Sequence, residues 1–203
     1  MTKIKLCGIS RVCDIEAVNE LRPEFIGFIF APKSRRYVYP ERAAELKKRL
    51  DPGIQAVGVF VNERPETVAE LLSAGIIDIA QLHGSESEAD IARLRKLTGK
   101  PIIKAFRIDT IQDIAKAQAS TADFVLLDSG NGGTGTAFDW TLVQNLHRPY
   151  FLAGGLGVHN VASAVEKLHP YAVDVSSGIE TDGVKDQSKM AAFVSAVRKE
   201  GFL

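Results

Sequence analysis

Cysteine is scarce: the 203 residues hold two, Cys7 and Cys13, with no second pair. That count and spacing exclude a disulfide framework and match no zinc-ligand pattern, so both are expected as free thiols. No run approaches the 18 or so apolar residues that cross a bilayer. The start, Met1-Thr2-Lys3-Ile4-Lys5, lacks the apolar core of a secretory signal. A cytoplasmic protein with no membrane association is the expectation. Charge of one sign is not in excess either, since Lys plus Arg and Asp plus Glu each total 25. A neutral chain exerts no general pull on nucleic acid, so any basic function must be local. Long Pro, Gly or Ser linkers are missing, and 45% hydrophobic against 25% charged residues exclude dominant disorder. Residues 1–203 are therefore expected to form one domain.

What is present is alternation. Apolar, β-branched runs at Ile4–Cys7, Phe25–Phe30, Gln55–Val61, Asp78–Leu82, Pro101–Phe106, Asp123–Leu127, Tyr150–Ala153 and Ala172–Val175 read as strands. Most are continuously apolar, the pattern of parallel strands buried on both faces. Segments with helical spacing lie between them, among them Pro65–Ala74, Ser85–Leu97, Ile111–Ala119 and His159–His169. One helix is expected after each strand. Eight such units average about 25 residues each, short beside the roughly 250 residues usual for a (β/α)8 barrel. The fold class is thus α/β, a single-domain (β/α)8 TIM barrel of minimal size. An open doubly wound sheet is the competing architecture.

Barrel enzymes build their sites at the carboxyl ends of the strands, and the polar residues fall there repeatedly. Cys7 closes the first strand, Gln81 and His83 the fourth, Asp128 follows the sixth, Gly154-Gly155 the seventh, and Asp174-Val175-Ser176-Ser177-Gly178 closes the eighth. In a barrel all of these rim one mouth. The run Gly130-Asn131-Gly132-Gly133-Thr134-Gly135 lets backbone approach an anion without Cβ obstruction. It contains G-x-G-x-x-G, but helix onset waits until about Asp139, and strand seven ends in Ala153-Gly154-Gly155 with no ribose-binding carboxylate, which removes the dinucleotide reading. The loops at Gly154-Gly155 and Ser176-Ser177-Gly178 follow the last two strands, where barrels often bind phosphate. Singly they would be a tight turn and a helix cap; together they point to a phosphorylated small molecule.

Pro32-Lys33-Ser34-Arg35-Arg36-Tyr37 places three cations after strand two, either a solvated basic loop or a grip on a carboxylate. His147, His159 and His169 fall on helices or their ends and read as surface or cap residues. His83 could join Asp128 and Asp174 around a metal only as a minor alternative, and no ligand set is expected. Cys13, early in a helix, reads as a small buried residue. Cys7 and Asp128 could share acid-base work across one rim, because a thiolate accepts a proton and a carboxylic acid donates one. Otherwise Cys7 fills a strand end and Asp128 caps a turn.

Ordered motifs along the whole chain resemble the phosphoribosylanthranilate isomerase family. They include Lys5-Leu6-Cys7-Gly8-Ile9, Pro32-Lys33-Ser34-Arg35-Arg36-Tyr37, Val57-Gly58-Val59-Phe60-Val61-Asn62, Gln81-Leu82-His83-Gly84, Leu127-Asp128, Gly132-Gly133-Thr134-Gly135, Phe138-Asp139-Trp140, Ala153-Gly154-Gly155-Leu156 and Asp174-Val175-Ser176-Ser177-Gly178-Ile179-Glu180. Ser10, where Thr is frequent, and Val158, where Pro is, are small departures outside the chemistry. The resemblance implies a barrel without metal or cofactor, acting in tryptophan biosynthesis. Its reaction is the Amadori rearrangement of N-(5-phosphoribosyl)anthranilate to 1-(2-carboxyphenylamino)-1-deoxyribulose 5-phosphate. Carried onto matching positions, it implies Asp128 as general acid and Cys7 as general base. It further implies Arg36 on the anthranilate carboxylate, and Asp174 on a ribose hydroxyl. Gly154, Gly155, Ser176, Ser177 and Gly178 fall to the phosphate, with Gly132, Gly133 and Gly135 in a loop closing over the substrate. Gln81 and His83 are expected to line the mouth. A monomer or a homodimer is equally compatible. Two other readings stand beside it: a metal-dependent sugar-phosphate epimerase, which needs a His-rich shell, and a non-catalytic phosphate-binding barrel, which needs neither Cys7 nor Asp128.

Overall fold

The computed structural model describes residues 1–129 and 139–199. Eight parallel strands close into a barrel in sequence order, β1 (Lys3–Cys7), β2 (Phe25–Ile29), β3 (Gln55–Phe60), β4 (Ile79–Leu82), β5 (Ile102–Arg107), β6 (Phe124–Asp128), β7 (Tyr150–Leu152) and β8 (Ala172–Val175), with β8 pairing back onto β1. Outside lie helices α1 (Val12–Leu21), α2 (Pro40–Lys47), α3 (Pro65–Ser73), α4 (Glu88–Leu97), α5 (Ile111–Ala119), α6 (Val161–Leu168) and α7 (Gln187–Lys199). The closed barrel, not the open sheet, is the architecture.

The alternation of β side chains sorts the apolar residues into two cores. Phe25, Val57, Ile79, Ile103, Leu126 and Phe151 fill the barrel interior. Ile4, Leu6, Ile26, Phe28, Phe60, Leu82, Leu127 and Val173 point outward and pack under the helices with Ile15, Val18, Val68, Ile91 and Phe193. This double burial explains the continuous apolar runs of the strands. At the amino-terminal rim, carboxylates tie neighbouring strands: Glu24 accepts from Ile4 N, Asp78 from Ala56 N and Asp123 from Ile102 N. These contacts hold the end of the barrel away from the site.

Three expectations change. After β6 the described chain resumes at Asp139, which caps a 3-10 helix, Trp140–Asn145, rather than an α-helix. The delayed onset at Asp139 follows from its carboxylate accepting the Thr141 N–H. The fourth and seventh helical segments start later than expected, because Ser87 caps α4 and α6 begins at Val161. Cys13 is half-buried: the buried face of α1 runs through Asp14, Ile15 and Val18, and Cys13 sits at its border. No helix among the described residues is long and apolar enough to cross a membrane.

Candidate active site

The inward set of positions that fills the barrel lower down turns polar at the carboxyl end. Counting by two along each strand carries Lys5 to Cys7, Ile79 to Gln81 and His83, Leu126 to Asp128, and Ala172 to Asp174 and Ser176. The result is a cavity of about 280 Å³ lined by Cys7, Arg36, Gln81, His83, Asp128, Gly154, Gly155, Asp174, Ser176 and Ser177, with an apolar wall from Ile29, Val59, Ala153 and Leu156. Of the site residues named from the sequence, all of these meet there. Gly178 sits one residue beyond the lining. Its α-carbon is held against the neighbouring loop: a Cβ at Gly178 would stand 2.0 Å from the Leu156 carbonyl oxygen. The loops after β7 and β8 therefore pack on each other at the mouth. Gly132, Gly133 and Gly135 lie outside the described residues.

Glycines make room for both reactive side chains. Gly27 pairs with Cys7 across β1 and β2, and a Cβ there would lie 2.6 Å from Cys7 Sγ. Gly154 has φ +81°, and a Cβ on it would stand 2.4 Å from Ser129 N and 2.8 Å from Asp128 Oδ1.

Beneath Cys7 lies a buried ion pair. Lys5, 0% exposed, donates from Nζ to Asp174 Oδ1 at 2.9 Å. Burial works against the Lys5 charge, but Asp174 and then Cys7 outweigh it and hold the ammonium above its ordinary value. Burial pushes the Cys7 thiol up, and the nearby Lys5 cation offsets only part of that rise.

A second charge cluster closes the β1–β2–β8 side. Glu180 accepts from Arg36 Nε at 2.6 Å and Nη2 at 2.8 Å, from Arg35 Nη2 at 3.0 Å and from Lys185 Nζ at 2.6 Å. Burial opposes the Glu180 charge, yet Arg36 and Lys185 hold its carboxyl down to about 2. Lys185 is lowered by burial in spite of Glu180, and also donates to the Ser176 carbonyl at 2.8 Å. Three cations on one carboxylate leave a local positive excess in a chain that is neutral overall. The Glu180 fork occupies the Nε side of Arg36 and leaves its Nη1/Nη2 edge, which has the geometry for a second carboxylate. Across the mouth, Gln81 Nε2 lies 2.7 Å from His83 Nδ1, and His83 Nε2 lies 3.1 Å from Asp128 Oδ2.

Lys5, Gly27, Glu180 and Lys185 had no assigned role in the sequence reading. Lys5 carried a signal, a cation two positions before Cys7 in an apolar strand and hence on the same face. Lys185 carried none. His147, His159 and His169 are exposed and away from the cavity, as expected. Among the described residues no three His, Cys, Asp or Glu side chains cluster so as to hold a metal ion.

A parallel barrel that collects a thiol, a carboxyl, an arginine and glycine-serine loops at the carboxyl ends of its strands belongs to the enzyme-bearing (β/α)8 class. The profile described as N-(5'-phosphoribosyl)anthranilate (PRA) isomerase matches residues 4–196. The N-(5'-phosphoribosyl)anthranilate isomerase of Endomicrobium trichonymphae is 43% identical over 202 residues, covering 98% of this chain and 99% of that protein. The crystal structure of phosphoribosyl anthranilate isomerase from Thermotoga maritima superposes with a TM-score of 0.89 at 34% identity, over 98% of this chain and 100% of that one. A further isomerase of this name, solved in complex with reduced 1-(o-carboxyphenylamino)-1-deoxyribulose 5-phosphate, gives a TM-score of 0.86 at 33% identity, with 98% and 100% covered. The chain belongs to the phosphoribosylanthranilate isomerase family.

Proposed function

We infer that this chain catalyses the reaction of its family, the conversion of N-(5-phosphoribosyl)anthranilate to 1-(2-carboxyphenylamino)-1-deoxyribulose 5-phosphate in tryptophan biosynthesis, with Asp128 and Cys7 as acid and base. The observation that carries the residue roles is one cavity holding both groups between an arginine edge and the paired glycine-serine loops.

The chemistry follows from the residue types. Asp128 gives its proton to the ring oxygen as the C1–O bond breaks, and the nitrogen lone pair forms the C1=N iminium. That iminium is the electron sink which acidifies the C2 proton, so the substrate supplies its own activation. Cys7 removes this proton as a thiolate, the electrons form the enolamine, and reprotonation at C1 with loss of the C2 hydroxyl proton gives the ketone. A thiol raised by burial is mostly protonated at rest, so thiolate formation is coupled to substrate binding, and the Lys5 cation is the nearest charge that favours it.

Arg36 takes the anthranilate carboxylate on its Nη1/Nη2 edge while Glu180 holds the other side of the guanidinium. Asp174, steadied by Lys5 through Oδ1, bonds a ribose hydroxyl. The amides and hydroxyls of Gly154, Gly155, Ser176, Ser177 and Gly178 receive the phosphate, and the Lys185 and Arg35 charges add attraction at that side. Residues 1–203 act as one domain, as a monomer or a homodimer. The two free thiols suit a reducing, cytoplasmic setting. The test is conversion of substrate generated in situ, followed by loss of its fluorescence and by identification of the ketose product. Acceleration over an enzyme-free control is expected, and no acceleration by folded protein would overturn the reading.

A further inference from the structure

Gln81 is 1% exposed inside the barrel, two positions before His83, so the two side chains face the same way. Its amide nitrogen can only donate. In the 2.7 Å contact to His83 Nδ1 the ring nitrogen is therefore the acceptor, and a neutral imidazole accepting at Nδ1 carries its proton on Nε2. That N–H is the atom 3.1 Å from Asp128 Oδ2. The contact reaches from the end of β4 across β5 to the end of β6. It can do so because the interior position of β5 one step past the Gln81–Ile103 and Leu82–Lys104 pairs is Ala105, a small side chain. The other oxygen, Asp128 Oδ1, stands over Gly154, where no Cβ intervenes.

The geometry points to a positioning relay in which Gln81 locks His83 in the neutral Nε2–H tautomer and His83 pins Asp128 Oδ2, aiming Oδ1 at the sugar ring. This rests on the reading of Asp128 as general acid. A neutral N–H donor at Oδ2 stabilises the carboxylate that forms as the proton leaves, without a permanent positive charge that would strip the proton beforehand. The relay explains why an amide, not a carboxylate, stands at position 81. Glu there would accept from Nδ1 and draw a second proton onto the ring, turning an imidazolium toward Asp128. Gln81 Oε1 is the buried side-chain polar atom without a hydrogen-bond partner among the described residues. An amide held for its nitrogen end leaves its oxygen in that state. Among the described residues, the other charged or titratable groups facing the Asp128 side of the mouth are Cys7 on β1, Arg36 after β2 and Asp174 on β8. Arg107, beside Asp128 on β5, is engaged by Asp109 at 2.7 Å.

The first test is nitrogen NMR of His83 in the wild-type protein, which should show a neutral ring protonated at Nε2. A ring protonated at Nδ1, with Nε2 accepting from Asp128, would overturn the relay. The second is the pH dependence of kcat in Gln81→Glu, a near-isosteric change. An opposite charge this close shifts a carboxyl by about one unit or more. The limb of the profile that vanishes in Asp128→Asn should therefore move to lower pH, with kcat at neutral pH down about tenfold and KM little changed. His83→Gln, which keeps an N–H near the Nε2 position, should retain far more kcat than His83→Leu. A Gln81→Glu profile that superimposes on wild type, or equal losses in the two His83 variants, would sink the relay while leaving the isomerase reading intact. Full turnover in Asp128→Asn would instead sink that reading.

Discussion

Replacing Lys5 by Met should cost about 3–4 kcal/mol of stability at pH 7, and most of the loss should return when Asp174 is also changed to Asn. Lys5 Nζ and Asp174 Oδ1 are 2.9 Å apart and the lysine is 0% exposed. At an effective dielectric of about 20, unit charges at that distance attract by about 6 kcal/mol. Desolvation of the two ions offsets most of this, so the pair as a whole is close to neutral for stability. Removing one partner is different, because the remaining carboxylate keeps its desolvation cost without the attraction, typically a loss of 3–5 kcal/mol. Protonating an ordinary carboxyl at pH 7 costs about 4 kcal/mol, and this caps the loss. The cap gives a signature. In Lys5→Met the folded state binds a proton at Asp174 that the unfolded state releases at neutral pH, so the variant gains on wild type as pH falls. Two units of pH, from 7 to 5, narrow the gap by up to about 2.7 kcal/mol. Urea unfolding followed by far-ultraviolet circular dichroism at both pH values measures it. A loss below about 1 kcal/mol, a gap indifferent to pH, or a double variant no better than the single would refute the argument.

Burial raises the Cys7 thiol and the Lys5 cation offsets part of that rise, so Lys5→Met should shift the thiol's ionisation to still higher pH, seen by thiol absorbance titration of the ligand-free protein and as an upward shift of the rising limb of the kcat/KM profile; an unchanged thiol titration would contradict this. Gly27→Ala sets a Cβ 2.6 Å from Cys7 Sγ, so kcat should fall about tenfold or more while far-ultraviolet circular dichroism is unchanged; full activity would show that Cys7 need not hold its position. Glu180, held at about 2 by Arg36 and Lys185 against its burial, contributes stability that is complete above its unfolded value near 4.3 and lost as pH falls toward 2. In Glu180→Gln that part of the acid-dependent loss should disappear in unfolding free energies measured between those limits.

The barrel was legible because its signal is physical. Strands buried on both faces must be apolar throughout, and the eight such runs match the observed strands to within about a residue at each end. The rim was legible for the same reason, since a polar residue ending an apolar run has nowhere to go but the mouth. Helix starts were less legible: Ser85 carries start-like chemistry but Ser87 holds the cap of α4, and the segment expected from His159 begins its helix only after Asn160. The charge cluster was hidden. Arg36 and Glu180 are 144 positions apart, and their fork exists only because β8 closes onto β1. Gly27 was hidden too, because a glycine inside a strand announces close approach only when its partner is known, and the partner is Cys7 across β1 and β2. The Gln81–His83–Asp128 contacts needed the small Ala105 between them, which no local pattern discloses.

The most direct test of the central claim is single-turnover conversion of N-(5-phosphoribosyl)anthranilate by wild type, Cys7→Ser and Asp128→Asn, each corrected for the spontaneous decay of the substrate and paired with the affinity for a reduced product analogue. The account predicts rates at least 100-fold lower in both variants, in line with the usual share of acid-base groups, with affinity changed less than tenfold. Wild-type rates in either variant would contradict it.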